Sequence, residues 1–258
     1  MIGAKLLEIK DITKKFGEFY ALNNCNLSIL GNQITGIIGP NGAGKSTLFN
    51  ILGGLIKPDG GHVSFHNTKI TGLRPDQLVI NGVIRTFQIS RELGELTVLE
   101  NMLLADLNNP GDILWKNFIK PADVKTFQKK SISKAKELLN SVGLSDHINS
   151  SAKNLSGGQK KLLEIARALM ANPKLILLDE PTAGVSPPMC SILIEVIENL
   201  RQSGITFVII EHDMEMIAKL CQRIYVLAEG KNLTSGTYKE VIANEEVMKA
   251  YLGKASIH

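Results

Sequence analysis

The chain has 258 residues, 44% of them hydrophobic and 21% charged, which suits one large globular domain or a domain carrying an inserted piece. Twenty-nine Lys and Arg against 25 Asp and Glu leave a net charge of +4. No basic run is dense enough to track a phosphate backbone, so nucleic acid is excluded as a partner. No apolar run approaches the roughly 20 residues of a membrane span, and the N-terminal stretch is broken by charge too early for a signal peptide. The chain is therefore expected to be soluble, with any membrane role exerted through a partner. Cys25, Cys190 and Cys221 are scattered among apolar neighbours without a CxxC pair, and are expected as buried thiols in a reducing compartment.

In chain order, residues 5–30 and 61–70 read as short strands with turns, a small antiparallel sheet beside the main one. Gln33–Ile38 is the first of five short Ile/Val/Leu runs, followed by Val83–Thr86, Leu175–Leu178, Thr206–Ile210 and Ile224–Leu227. Several lack polar alternation, as parallel strands covered on both faces do. Helical patterns lie between them at Lys45–Leu52, Gly157–Met170 and Pro187–Leu200, the last opening on prolines suited to a first turn. This alternation predicts an α/β fold with a mainly parallel sheet. Residues 88–155 break it. They carry a helix near Val98–Ala105, a polar Pro/Gly stretch at Asn108–Gly111 and a long helix from about Asp123 to Val142, and read as a helical subdomain inserted into the core. The division expected is a catalytic core of residues 1–87 and 156–258 around a helical subdomain of residues 88–155, with no internal repeat.

Residues 39–47, Gly39-Pro40-Asn41-Gly42-Ala43-Gly44-Lys45-Ser46-Thr47, match GxxxxGK[ST] in full and stand between a strand and a helix. The glycines let the backbone wrap a phosphate where a Cβ would obstruct it. The loop amides and the N-terminus of the next helix supply partial positive charge. Lys45 is placed to reach the β- and γ-phosphates of a nucleotide, and the Ser46 hydroxyl to ligate Mg²⁺. The strand Leu175–Leu178 ends on Asp179-Glu180-Pro181. Such a strand delivers a carboxylate to Mg²⁺, the part given to Asp179, while Glu180 is placed to orient and deprotonate an attacking water.

Leu155-Ser156-Gly157-Gly158-Gln159 precedes the helix leading to that strand, and alone could be an N-cap followed by a flexible turn. In this order and spacing it resembles the signature of the ABC ATPases, and the resemblance runs from about residue 6 to 253. It implies the ABC ATPase fold: a P-loop NTPase core with a mainly parallel sheet, an N-terminal antiparallel β subdomain and an inserted helical subdomain. It also implies ATP and Mg²⁺ as cofactors. Gln88, in Arg-Thr-Phe-Gln, looks like the family glutamine that contacts Mg²⁺ and water, and His212 like the histidine that contacts the γ-phosphate. Phe16, 29 residues before Lys45, stands where the family places the aromatic that stacks on adenine, with Tyr20 as the alternative. The resemblance further implies a head-to-tail ATP-sandwich dimer, with itself or a paralogous ATPase, in which Ser156, Gly157, Gly158 and Gln159 of one subunit close over the ATP of the other. One departure is Ser186, where the family commonly has Asp in the loop coupling the two sites.

Several stretches are similar to a narrower group, the ATPase subunits of branched-chain amino acid importers: Ile84-Arg85-Thr86-Phe87-Gln88, Leu96-Thr97-Val98-Leu99-Glu100-Asn101, Glu211-His212-Asp213-Met214 and the ending Ala250-Tyr251-Leu252-Gly253. That resemblance implies ATP hydrolysis powering import through integral-membrane permease subunits, with a solute-binding protein as an indirect partner. It implies a cytoplasmic location, peripheral on the inner face of the membrane. The permease is expected to dock near Ile89–Leu96. Urea-type importers and a lipopolysaccharide-export ATPase share much of the pattern. A soluble translation or DNA-repair ATPase would carry two such domains or a long coiled coil, whereas this chain has one P-loop and no sustained heptads.

Overall fold

The computed structural model describes residues 4–86, 93–106 and 121–252. The chain forms two compact units, one of Met1–Gln88, Lys174–Ala183 and Ile197–His258, the other of Ile89–Pro173 and Gly184–Val196. The helix carrying Ser156–Gln159 thus groups with the second unit, whereas the sequence boundary at 155/156 assigns it to the core.

The first unit holds two sheets. One is antiparallel, built from β1 (Lys5–Phe16), β2 (Phe19–Leu30), β4 (Gly60–Phe65) and β5 (Thr68–Lys69) in the order β2-β1-β4-β5. The other contains β3 (Ile34–Ile38), β6 (Val83–Arg85), β7 (Leu175–Asp179), β8 (Thr206–Ile210), β9 (Arg223–Ala228) and β10 (Lys231–Gly236), in the order β10-β9-β3-β8-β7-β6. All its pairings are parallel except β10 with β9. β3, β7 and β8 are buried at every residue, which is why their sequences run apolar without alternation.

Helix α1 (Lys45–Leu52) ties the two sheets together. Its Leu48, Phe49, Ile51 and Leu52 share one core with Leu7, Ile9, Ile12 and Leu22 of the antiparallel sheet and with Leu177, Val208, Ile210 and Leu227 of the parallel one. The open end of a parallel sheet, at the carboxyl ends of its strands, is where such folds bind ligands. Here β3, β7 and β8 deliver Gly39, Glu180 and Glu211-His212 to that end. A short helix α2 (Pro75–Ile80), opened by Pro75, and the polar strand β10 complete this part of the sequence-distant framework; neither was expected from periodicity.

In the second unit, α3 (Val98–Leu103) starts in a reciprocal cap: Thr97 accepts from the Glu100 amide while the Glu100 carboxylate accepts from the Thr97 amide. The fully buried Asn101 amide bonds both the N–H and the C=O of Leu93, fixing the segment that enters the helix. Helices α4 (Pro121–Ser141) and α5 (Gly157–Leu169) pack with α3. α6 (Pro187–Gln202) begins in this unit and ends in the first. The chain closes with α7 (Met214–Leu220), α8 (Tyr238–Ile242) and α9 (Glu245–Leu252). Of the thiols, Cys25 is buried as expected, and burial pushes its pKa up to about 12; Cys190 and Cys221 are only half-buried.

Candidate functional site

The phosphate loop requires its glycines. Gly39 and Gly44 adopt φ of 152° and 101°, and a Cβ on either would run into backbone, the Leu227 carbonyl or the Ala21 carbonyl. Between them Pro40, Asn41, Gly42 and Ala43 turn the chain into α1, with the Ala43 amide donating to Pro40 at 3.2 Å. Gly44 occupies the helix N-cap and brings no side-chain cap, so the first-turn amides of Lys45, Ser46 and Thr47 are presented at the helix end. The Lys45 ammonium, 6% exposed, donates to the Gly39 carbonyl at 2.6 Å and the Pro40 carbonyl at 3.0 Å, bracing the loop across its mouth. An open cleft of about 240 Å³ lies over this loop, lined by residues 41–47, Phe19, Ala21, Glu180 and His212.

Strand β7 ends at two acids, and of these Glu180 lines the cleft. Asp179, its last residue, is buried and paired with Arg85 at 2.8 Å. Glu180, one residue beyond, takes φ of 48°, a left-handed conformation rare for a side chain of this size. Its amide makes one last bond of the ladder, to the Ile210 carbonyl at 2.9 Å. The turn swings its carboxylate against His212, whose Nε2 lies 3.1 Å from Glu180 Oε1. Strand order explains the meeting, because β7 and β8 are parallel neighbours with Asp179 opposite Ile210. Two side chains 32 positions apart in sequence therefore share one wall.

The aromatic residues sit at the β1–β2 hairpin, where Phe16 and Phe19 are register partners. Phe19 lines the cleft; sequence reasoning passed over it because it chose by distance from Lys45 rather than by strand register. Phe16 is exposed with the Lys14 ammonium 5.7 Å from its ring, and Tyr20 carries Lys15 at 4.3 Å. From further along the chain, Tyr251 is hydrogen-bonded to the Gly39 backbone.

Ser156 caps α5. It accepts from the Gln159 amide at 3.3 Å, and the Gln159 side chain accepts from the Ser156 amide at 2.9 Å. Gln159 Nε2 also lies 2.9 Å from His147. Gly157 is exposed, and Gly158 admits the Met189 side chain where a Cβ would collide with it. Gln88, and with it residues 89–92 of the expected docking segment, lie outside the described residues.

The donors present suit a hard cation. Mg²⁺ is held by one or two carboxylates together with phosphate oxygens and water. The Ser46 hydroxyl on the cleft wall and the Asp179 carboxylate beside Glu180 are oxygen donors of that kind.

The chain is similar to known proteins over most of its length. Residues 22–183 match the family model described as "ABC transporter". The chain is 38% identical over 251 residues to the high-affinity branched-chain amino acid transport ATP-binding protein LivG of Escherichia coli, covering 97% of this chain and 98% of that protein. A nucleotide-free ATP-binding cassette from an ABC transporter superposes with a TM-score of 0.84 at 39% identity, covering 96% of this chain and 98% of that one. A dimeric post-hydrolysis cassette bound to ADP and Pi superposes with a TM-score of 0.73 at 31% identity, covering 90% and 99%.

Proposed function

This chain belongs to the ABC transporter family, and on that premise we propose that it is the ATP-hydrolysing subunit of an importer for branched-chain amino acids. The observation that carries the catalytic part is the 3.1 Å pairing of Glu180 with His212 on the wall of the cleft that Lys45 and Ser46 also line. A base, a second polar group and a phosphate cradle stand on one surface, as phosphoryl transfer to water demands.

Lys45 exchanges loop carbonyls for β- and γ-phosphate oxygens, and the loop amides neutralise the remaining charge. Ser46 and Asp179 would hold Mg²⁺, with Gln88 as a further contact; when bound, the ion neutralises charge on the transferred group. Glu180 accepts the proton of the attacking water, and His212, beside it on the same wall, contacts the γ-phosphate. Phe16, with Phe19 beside it, stacks on adenine. Ser156, Gly157, Gly158 and Gln159 complete the site of a second ATPase subunit in a head-to-tail dimer, so closure gates turnover. The dimer of the related cassette bound to ADP and Pi supports that reading.

The importer assignment rests on near full-length similarity to the ATP-binding protein of a branched-chain amino acid system. Among the described residues no helix is long and apolar enough to cross a membrane, so permease subunits would carry the cargo and hold this chain at the cytoplasmic face. The test is uptake. Deleting the gene in cells without redundant carriers should abolish entry of labelled leucine, isoleucine and valine, restored by the wild-type chain and not by Lys45→Ala. Intact uptake of all three would move the cargo to urea or another small polar solute.

A further inference from the structure

The ladder between β7 and β8 ends where the Glu180 amide meets the Ile210 carbonyl. Beyond it both chains turn away, and the amides of Thr182, His212 and Asp213 leave the ladder and take other acceptors. Glu211, at the end of β8 and 4% exposed, meets all of them. Its Oε1 accepts from the Thr182 amide at 2.8 Å and the Thr182 hydroxyl at 2.5 Å. Its Oε2 accepts from the His212 amide at 2.9 Å and the Asp213 amide at 3.3 Å. Only a carboxylate offers two acceptor oxygens on one planar group without a donor to clash.

One oxygen therefore holds the loop after Glu180 and the other holds the loop of His212. The same two loops meet in front, where Glu180 Oε1 faces His212 Nε2 at 3.1 Å. His212 is fixed from the other side as well, because Asp213 caps α7 by accepting from the Glu215 and Met216 amides at 2.9 and 3.2 Å. A shift of one loop against the other would have to break charge-assisted, partly buried bonds.

We infer that Glu211 is a positioning residue for hydrolysis: its carboxylate clasps the Glu180 loop to the His212 loop, so turnover depends on the Thr182 hydroxyl and Glu211 while nucleotide affinity does not. The inference rests on the roles proposed for Glu180 and His212. Neither Thr182 nor Glu211 lines the cleft, so neither is expected to touch the nucleotide.

The test uses the full-length protein, with kcat and KM for Mg-ATP, equilibrium ATP binding and thermal unfolding measured on each variant. Thr182→Val removes the hydroxyl at constant shape, and should lower kcat by on the order of tenfold or more while KM and ATP affinity stay within about twofold. Thr182→Ser should restore kcat. Glu211→Gln should reproduce the Val effect by replacing one acceptor oxygen with a donor. If Glu211→Gln fails to fold, the Thr182 pair still decides. Thr182→Val at wild-type kcat, or Thr182→Ser as slow as Thr182→Val, would overturn the clasp. Glu180→Gln and His212→Ala are measured alongside. Undiminished turnover in those two would overturn the underlying reading, whereas their inactivity beside a fully active Thr182→Val would overturn the clasp alone.

Discussion

Arg85 Nη2 lies 2.8 Å from Asp179 Oδ2, with the two side chains 10% and 8% exposed. The guanidinium also donates to Asn50 at 2.6 Å and stands 5.7 Å from the Phe49 ring, so it is wedged between α1 and the end of β7. The Asp179 charge is thereby matched inside the protein, at the position proposed to serve Mg²⁺. Removing one partner of such a pair leaves the other charged and buried. Arg85→Met should therefore destabilise the protein by about 3–5 kcal/mol, read from the urea midpoint and slope. Asp179→Asn in the Arg85→Met background should recover part of that loss. A cost of about 1 kcal/mol or less, the range of an exposed pair, would show that Arg85 does not matter to Asp179.

The aromatic hairpin gives a second prediction. If Phe16 stacks on the base, Phe16→Ala should weaken ATP binding by roughly tenfold, since base–aromatic stacking is worth about 1–3 kcal/mol. Phe19→Ala, which opens the adjacent cleft wall, should weaken it as well. Stacking does not read base edges, so GTP should bind within a few-fold of ATP, by equilibrium titration. ATP affinity unchanged in Phe16→Ala would leave the stacking to Phe19 alone.

Ser156 lies at the exposed start of α5, and its bonds are those of a helix cap. Loss of a cap costs about 0.5–2 kcal/mol, too little to explain loss of an activity. In the proposed head-to-tail dimer, Ser156→Arg should leave ATP binding to the monomer within about twofold and stop hydrolysis, because the bulky side chain would block the γ-phosphate held by the other subunit. Binding that collapsed in the monomer would place Ser156 in its own subunit's site.

Much of this was legible in the sequence, for identifiable reasons. Five parallel strands declared themselves because burial on both faces leaves Ile, Val and Leu in unbroken runs, and the phosphate loop because glycine types at fixed spacing have few other uses. β10 was not legible: it is a polar edge strand, Lys-Asn-Leu-Thr-Ser-Gly, and makes its ladder on one side. α2 is one and a half turns long, too short for helical periodicity to register. At the site, Glu211 read only as part of a family motif and Arg85 likewise, since the partners of each, Thr182 and Asp179, become neighbours only through the β6-β7-β8 order. Phe19 was missed for the same reason, its place depending on hairpin register. Gln88 remains a reading of sequence, outside the described residues.

The central claim, that Glu180 activates water at a site two subunits complete, is tested most directly by Glu180→Gln with Mg-ATP. Binding and turnover are followed on the same sample, with molar mass by light scattering at micromolar protein. The account predicts ATP affinity near wild type, kcat reduced by on the order of 10²-fold or more, and a dimer that forms with ATP and dissociates when nucleotide is removed. A Glu180→Gln protein that hydrolyses ATP at the wild-type rate, or stays monomeric at saturating ATP, would contradict it.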